Sequence, residues 1–139
     1  MAAAGTGLAG GAGATGAAAT GRTARGAAER FGRYAEAVCR LALRLAGYRV
    51  LAARERTPLG EIDIVAQRGG ILAIVEVKAR RDPGVAAAAL SGRQSQRLGR
   101  AATVFLSRHP ELSGLAVRFD VMLVSPWRWP RHLVDAWRP

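Results

Sequence analysis

The chain has 139 residues, of which 50% are apolar and 22% charged, so it can bury one modest core but not two. Its 21 basic and 10 acidic residues give a net charge of +11, which favours nucleic acid or another polyanion as partner. The single cysteine, Cys39, excludes an intrachain disulfide and a cysteine-cluster zinc site, and its apolar helical surroundings predict a buried thiol. Neither a membrane span nor a signal peptide is predicted, so we expect a cytoplasmic protein without a membrane partner.

The first 25 residues consist mostly of Ala, Gly and Thr and are predicted to be a disordered tail. The tail is expected to precede a single domain, residues 26–139. Apolar residues at helical spacing predict a helix from Gly26 to Ala46, and Gly47 is suited to ending it. The predicted core face of this helix comprises Phe31, Ala35, Val38, Ala42 and Leu45.

Strands and a second helix are predicted in the rest of the chain. The strands are Tyr48–Arg54, Glu61–Gln67, Ile71–Arg80, Leu115–Val124 and a short final segment, His132–Trp137. The second helix would run from Ser91 to Arg108, with Ser91 and Gln94 as a capping box. Its predicted core face comprises Leu98, Ala101, Ala102 and Phe105. The order α-β-β-β-α-β-(β) predicts an α/β fold with a mixed β-sheet flanked by helices.

Gly69 and Gly70 separate two of these strands and suit a two-residue hairpin turn, where positive φ is needed. With that turn, Asp63 lies opposite Glu76 and Glu61 lies opposite Lys78. Side chains alternate between the two faces of a strand. We therefore expect one face of the first hairpin strand to carry Glu61, Asp63 and Val65, and the other face to carry Ile62, Ile64 and Ala66.

Two carboxylates placed directly opposite each other destabilise a sheet, so the Asp63–Glu76 pair needs an explanation. A shared proton is one, and a divalent cation such as Mg²⁺ or Mn²⁺ is another. A third interpretation is a structural hairpin, with a Glu61–Lys78 ion pair and both carboxylates at a wet sheet edge. Lys78 is the only lysine among the 21 basic residues. Beside a metal-bound water, its ammonium group could orient or help deprotonate the nucleophile.

Three segments together resemble a known family: Gly60-Glu61-Ile62-Asp63-Ile64-Val65, Val75-Glu76-Val77-Lys78-Ala79-Arg80 and Arg118-Phe119-Asp120-Val121. They resemble the YraN-like proteins, small bacterial proteins that are similar to Holliday-junction resolvases and belong to the restriction-endonuclease-like PD-(D/E)xK superfamily. The resemblance spans roughly residues 26–137. It implies a restriction-endonuclease-like mixed β-sheet flanked by helices.

The resemblance also implies roles for individual residues. Asp63 and Glu76 match the two metal-binding carboxylates, and Lys78 matches the superfamily lysine. Glu36, on the first helix, matches an acidic residue that supports the metal or its water. The main-chain carbonyl of Val77 would be a further ligand. The four side chains Asp63, Glu76, Lys78 and Glu36 are therefore the predicted catalytic residues.

Two positions depart from the family pattern. Ile62 stands where the superfamily name places Pro, and Gln94 stands where family members often carry lysine. Gln94 can still contact a phosphate, or it can serve only as the capping-box partner. With Arg93, Arg97 and Arg100 on the same helix, it forms the predicted nucleic-acid-binding set, although each arginine is also compatible with a solvated helix face.

Together these observations predict a Mg²⁺- or Mn²⁺-dependent endonuclease that hydrolyses phosphodiester bonds in DNA, with branched DNA as one candidate substrate. Resolvase-type chemistry favours a homodimer, although the sequence shows no interface. The alternatives are a non-catalytic nucleic-acid-binding protein with a nuclease-like fold, and a scaffold whose basic face meets an acidic protein or ribosomal RNA.

Residues near the C-terminus have weaker signals. The segment Trp127-Arg128-Trp129-Pro130 is predicted to pack as a loop over the core, with stacking on bases as the alternative. Asp120 is expected to anchor Arg118 or another neighbour, with a catalytic role as the lesser alternative. His109 and His132 have no metal-ligand partner in the sequence pattern, so structural or solvent-facing roles are expected.

Overall fold

The computed structural model describes residues 15–80 and 92–139, with side chains described from residue 21 onward. The helices and strands of this part are α1 (Thr15–Leu45), β1 (Arg49–Thr57), β2 (Gly60–Arg68), β3 (Ile71–Ala79), α2 (Gly92–Arg108), β4 (Ala116–Val124) and β5 (Arg131–Trp137), with a 3₁₀ turn at Pro110–Leu112. The chain divides into two units, Met1–Arg30 and Phe31–Pro139, and the whole sheet belongs to the second.

The five strands form one mixed sheet in the order β1-β2-β3-β4-β5. Neighbouring strands are antiparallel except β3 and β4, which run parallel and are joined through α2. A parallel pair needs a crossover of this kind, whereas the antiparallel pairs can be joined by short turns. The predicted element order and mixed sheet are therefore confirmed for the described residues.

Each face of the sheet carries its own hydrophobic core. On one face, Ala35, Cys39 and Leu43 of α1 pack with residues of β2, β3 and β4, and Cys39 is a buried free thiol as predicted. Burial raises the pKa of this thiol to about 12, with the nearby charges of Asp63 and Glu36 adding to the effect, so it is unreactive. On the other face, α2 packs through its predicted core residues, Leu98, Ala101, Ala102 and Phe105.

The helix α1 differs from its prediction at its start and on its buried face. It begins at Thr15 rather than Gly26, within the segment for which a tail is predicted. Alanine has the highest helix propensity, and this stretch contains no proline. The rest of the predicted tail, residues 1–14, lies outside the described residues, as does the predicted cap Ser91 of α2.

The end of α1 is as predicted. Gly47 adopts a left-handed φ of 89°, its N–H donates to the carbonyl of Arg44, and the N–H of Tyr48 donates to the carbonyl of Leu43. These two bonds are those of a glycine-terminated helix. Leu45, expected in the core, is 71% exposed, because the buried face runs through Ala35, Cys39, Ala42 and Leu43 instead.

The tryptophans of the loop between β4 and β5 do not pack over the core, so that prediction is wrong for them, although Pro130 is buried. Trp127 is 98% exposed and Trp129 is 62% exposed. The backbone at Trp127 is left-handed, with φ at 62°, and the indole is turned outward. No helix in the described part of the chain is long and apolar enough to cross a membrane.

Candidate active site

The candidate site lies where β2 and β3 stop pairing with each other. The predicted two-residue turn at Gly69-Gly70 is confirmed, with φ of Gly69 at 56°. The antiparallel register runs from Arg68↔Ile71 to Ile64↔Val75, which is the predicted register. At the next position the pairing stops, and the N–H of Val77 donates to the carboxylate Oδ2 of Asp63 at 2.8 Å. We call this place, formed by Asp63, Glu76 and Val77, the fork.

At the fork, the side chains of β2 stop alternating regularly between the two faces of the sheet. Ile62 packs in the α2-side core together with Val65, whereas Ile64 packs in the α1-side core. The prediction that Ile62 and Ile64 share a face is therefore wrong. Side chains alternate strictly only along a regular strand. Strand β2 is irregular at Asp63, because the carboxylate of Asp63, rather than a main-chain carbonyl, accepts the N–H of Val77.

The carboxyl groups of Asp63 and Glu76 are adjacent at the fork, as the hairpin register predicts, and each affects the pKa of the other. Burial raises the pKa of Glu76 to about 7, and repulsion from Asp63 adds to the rise, while Lys78 opposes it. Burial likewise raises the pKa of Asp63, although the hydrogen bond from Val77 opposes the rise. The pair is therefore short of positive charge, which is the condition that a shared proton or a cation relieves.

Two polar side chains approach Glu76 from different elements. Lys78, on the same strand, places Nζ 3.5 Å from Glu76 Oε1, and its side chain is only 18% exposed. Gln94, in the first turn of α2, donates its amide to the same oxygen at 3.0 Å. The alternative of a Glu61–Lys78 ion pair is not observed, because Glu61 is paired with Arg56 of β1 at 3.6 Å.

Glu36 reaches the neighbourhood of the fork from α1. Its charge contributes to the raised pKa of Asp63, so the two carboxylates are electrostatically coupled. Arg54 of β1 forms an ion pair with Glu36 and was not singled out by the sequence, in which it is one of 20 arginines. The backbone at Arg54 is left-handed, with φ at 52°, and no motif signals such a position in a strand.

A cleft of about 220 Å³ opens over the fork. It is bordered by β2, β3 and the start of α2, and its lining residues are Gly60, Glu61, Asp63, Glu76, Gln94, Arg97 and Leu98. Of the predicted nucleic-acid-binding set, Gln94 and Arg97 line the cleft. Arg93 and Arg100 are exposed on α2 outside its lining. The structure thus brings acidic and basic side chains together in one opening.

Gly60 begins β2 at a point where α2 packs against the sheet. Its φ is 153°, and a Cβ at this position would lie 3.6 Å from the carbonyl oxygen of Arg97 and 3.7 Å from Cβ of Ala101. The space is therefore ordinary, and the requirement for glycine comes from the backbone conformation. The sequence indicated a turn at Thr57-Pro58-Leu59-Gly60 but not this contact.

A second buried carboxylate, Asp120 of β4, lies apart from the cleft lining and has a full set of partners. Arg118 donates to both of its oxygens, at 2.8 and 2.7 Å, and the N–H of Asp135 donates at 2.9 Å. His132 Nε2 lies 2.7 Å from Oδ2. The expected anchoring of Arg118 by Asp120 is confirmed, and His132 has the structural role predicted for it.

Few side chains at the fork could act as metal ligands. Among residues 15–80 and 92–139, no group of three or more His, Cys, Asp or Glu side chains is arranged to hold a metal ion. Asp63 and Glu76 supply two carboxylates, so a cation here would need main-chain, water or phosphate oxygens to complete its coordination. Mg²⁺ is usually bound in this way, by one or two carboxylates with water and substrate phosphates.

Residues 35–124, which include the whole fork, match the model of a family described as Uncharacterised protein family UPF0102. The chain belongs to the UPF0102 family. This agrees with the resemblance to the YraN-like proteins. A UPF0102 protein of Parvibaculum lavamentivorans is 58% identical over 113 residues, which cover 81% of this chain and 85% of that protein.

Other UPF0102 proteins are similarly related. One from Paramagnetospirillum magneticum, named UPF0102 protein amb4503, is 49% identical over 81% of this chain and 90% of its own length. One from Sinorhizobium medicae is 50% identical over 76% of this chain and 86% of its own length. Their names state no activity.

Proposed function

We propose that this protein is a metal-dependent endonuclease that hydrolyses phosphodiester bonds in DNA, built on a restriction-endonuclease-like sheet. The observation that carries the proposal is the partly buried, adjacent Asp63–Glu76 pair, which lines an open cleft and has Lys78 beside it. Structural carboxylates are expected to be satisfied by donors, as Asp120 is. The pair at the fork instead keeps a deficit of positive charge, which is typical of functional sites.

Asp63 and Glu76 would hold Mg²⁺ or Mn²⁺. Bound there, the cation would polarise a phosphate and lower the pKa of its bound water. The chain's own donors fix both carboxylates for this task. The main chain of Val77 holds Asp63, and the Gln94 amide holds Glu76. Such fixed partners reduce the reorganisation that binding would otherwise require.

Lys78 would position the attacking water. Its ammonium group is held against Glu76 and is mostly shielded from solvent, so it is a directed donor rather than a mobile surface charge. Glu36 would support the same water from the α1 side once its ion pair with Arg54 opens. Arg97, on the rim of the cleft, would contact a phosphate flanking the cleaved bond.

The test is cleavage by purified protein with Mg²⁺, Mn²⁺ or EDTA on single-stranded, duplex and branched DNA and on RNA. We expect metal-dependent cleavage of DNA by the wild type. Asp63→Asn, Glu76→Gln and Lys78→Ala should each lower it by at least about 100-fold, because each removes a group acting on the reacting atoms. Asparagine at position 63 keeps an oxygen for the N–H of Val77, so folding should be preserved.

Glu111→Gln is the matched control, because Glu111 is an exposed carboxylate in the 3₁₀ turn, paired with His109 and remote from the cleft lining. It should leave cleavage unchanged. Cleavage by Asp63→Asn and Lys78→Ala at wild-type rates would contradict the site. Salt-dependent DNA binding without metal-dependent cleavage would contradict the nuclease and favour a binding protein with this fold.

A further inference from the structure

Several aromatic side chains at the surface have no part in the cleft. Trp127 is 98% exposed, Trp129 is 62% exposed and Tyr34 of α1 is 52% exposed. Aromatic side chains bury 150–250 Å² each when they pack, so leaving three of them in water forgoes a large stabilisation. Clustered exposure of this kind marks a binding surface.

Two of these side chains border a groove. Its volume is about 470 Å³, and it is lined by Phe31, Tyr34, Pro126 and Trp127. The rings of Phe31 and Tyr34 are nearly parallel, with centroids 6.4 Å apart and an interplanar angle of 21°. We call these four residues the aromatic groove. Aromatic rings that line a space of this size suit a flat ligand.

The backbone at Trp127 indicates that the exposure is built into the loop. A left-handed φ of 62° costs a bulky residue on the order of 1–2 kcal/mol, and here it holds the indole outward. Pro126 precedes Trp127 and restricts the loop further. A strained position that displays an aromatic ring is better explained by binding than by folding.

Positively charged residues near the groove residues in the sequence favour an anionic ligand. From Ser125 to Val134 the chain contains Arg128 and Arg131 but no acidic residue, and Arg33 lies beside Tyr34 in the sequence. All three arginines are exposed. Aromatic rings interleaved with exposed arginines bind single-stranded nucleic acid, since the rings stack on bases and the arginines contact phosphates.

The groove and the fork lie at the same end of the sheet. Strand β4 pairs in parallel with β3 as far as Ala79↔Val124, and the N–H of Arg80 donates to the carbonyl of Val124. The loop that carries Trp127 therefore starts beside the exit of β3, two residues after Lys78. On α1, Tyr34 and Glu36 lie at nearly the same height along the helix axis but on opposite sides of the helix.

From this arrangement we infer that the aromatic groove binds unpaired bases of the strand whose phosphodiester lies at the fork. The inference rests on the proposed function for its substrate, nucleic acid, and narrows it to DNA with a single-stranded segment: a free strand, an overhang or a branch point. Paired bases are stacked within the duplex and present no open face to Tyr34 or Trp127, so an uninterrupted duplex would leave the groove empty.

The test compares strands that differ only in their bases. Fluorescently labelled single strands, one of thymidines and one of abasic residues with equal phosphate number, are titrated with protein in EDTA, so that cleavage does not interfere. Wild type should bind the thymidine strand about tenfold more tightly. Trp127→Ala and Tyr34→Ala should lose most of that preference, while their binding of the abasic strand stays the same. Ribonucleotide strands of matched sequence distinguish RNA from DNA as the source of the bases.

Leu45→Ala is the matched control, because it also removes an exposed apolar side chain of α1 but lies outside the groove. It should keep the wild-type preference. Equal binding of both strands by wild type would overturn the inference even if metal-dependent cleavage is observed. Loss of the preference in Trp127→Ala would support it even if no cleavage is found. A Trp127→Ala variant that changes only the sedimentation of the free protein would overturn it and assign the groove to a protein contact.

Discussion

At the residue scale, the sheet holds carboxylates in two opposite electrostatic states: Asp120 is fully buried, and Asp63 and Glu76 are partly buried. Burial alone would raise the pKa of Asp120, but hydrogen bonds from His132, Arg118 and the N–H of Asp135 lower it to about 2. At the fork, burial and mutual repulsion raise the pKa of Glu76 to about 7. The same type of side chain is thus a structural anchor where its donors outweigh the effect of burial on its pKa, and a candidate ligand where they do not.

The anchoring role of Asp120 predicts that the free energy of unfolding decreases at acid pH. The folded pKa of about 2 lies below the ordinary value of 3.8, so the stabilisation is fully present above about pH 4 and is lost as the pH falls towards 2. Denaturant unfolding measured at several pH values between these limits should show this loss in the wild type. The Asp120→Asn variant should lack that step.

Asp120→Asn should also be less stable at neutral pH, by about 3 kcal/mol or more, because Arg118 is left partly buried without its counter-charge. If this variant does not fold, the acid titration of the Asp120 carboxyl can be followed by NMR in the wild type. A midpoint near 3.8 there would contradict the assigned role.

At the scale of single elements, the backbone at the start of β2 requires a glycine at position 60. Gly60→Ala should destabilise the protein by about 1–2 kcal/mol, because φ at 153° is strained for any side chain. Denaturant unfolding gives this value directly. Gly70→Ala is the matched control, since a Cβ there meets nothing within 4 Å. A Gly60→Ala variant as stable as wild type would show that β2 can relax without glycine.

The elements themselves follow closely from the sequence. Strand ends lie within three residues of their predicted positions, and the hairpin register follows from Gly69-Gly70, because a two-residue turn fixes which residues face each other. The core face of α2 is also as predicted, since its apolar residues repeat at helical spacing.

What the sequence did not predict depends on tertiary contacts. The side chain of Asp63 takes the place of a main-chain partner, and this breaks the alternation that put Ile62 and Ile64 on one face. The ion pair of Arg54 with Glu36 joins residues far apart in the chain. The outward turn of Trp127 reflects a left-handed backbone that tryptophan rarely adopts. Local patterns do not encode such features.

At the scale of the whole molecule, the net charge of +11 acts together with the fork and the groove. We expect affinity for single-stranded DNA to fall steeply between about 50 and 200 mM salt, with a log–log slope set by the number of phosphates contacted. Arg97→Gln should reduce that slope by about one, because Arg97 lines the cleft. Fluorescence titration in EDTA at several salt concentrations measures both slopes. A slope near zero for wild type would contradict phosphate binding.

The hydrogen bond from Val77 to Asp63 makes the length of the hairpin as important as its residues. One residue more or fewer in the Gly69-Gly70 turn would slide β3 along β2 and offer Asp63 a different main-chain amide, with Glu76 carried to the other face. Insertions are tolerated in most surface loops, but this turn acts as a fixed spacer between the two carboxylates. Length variation among functional relatives should therefore fall in other loops and spare this one.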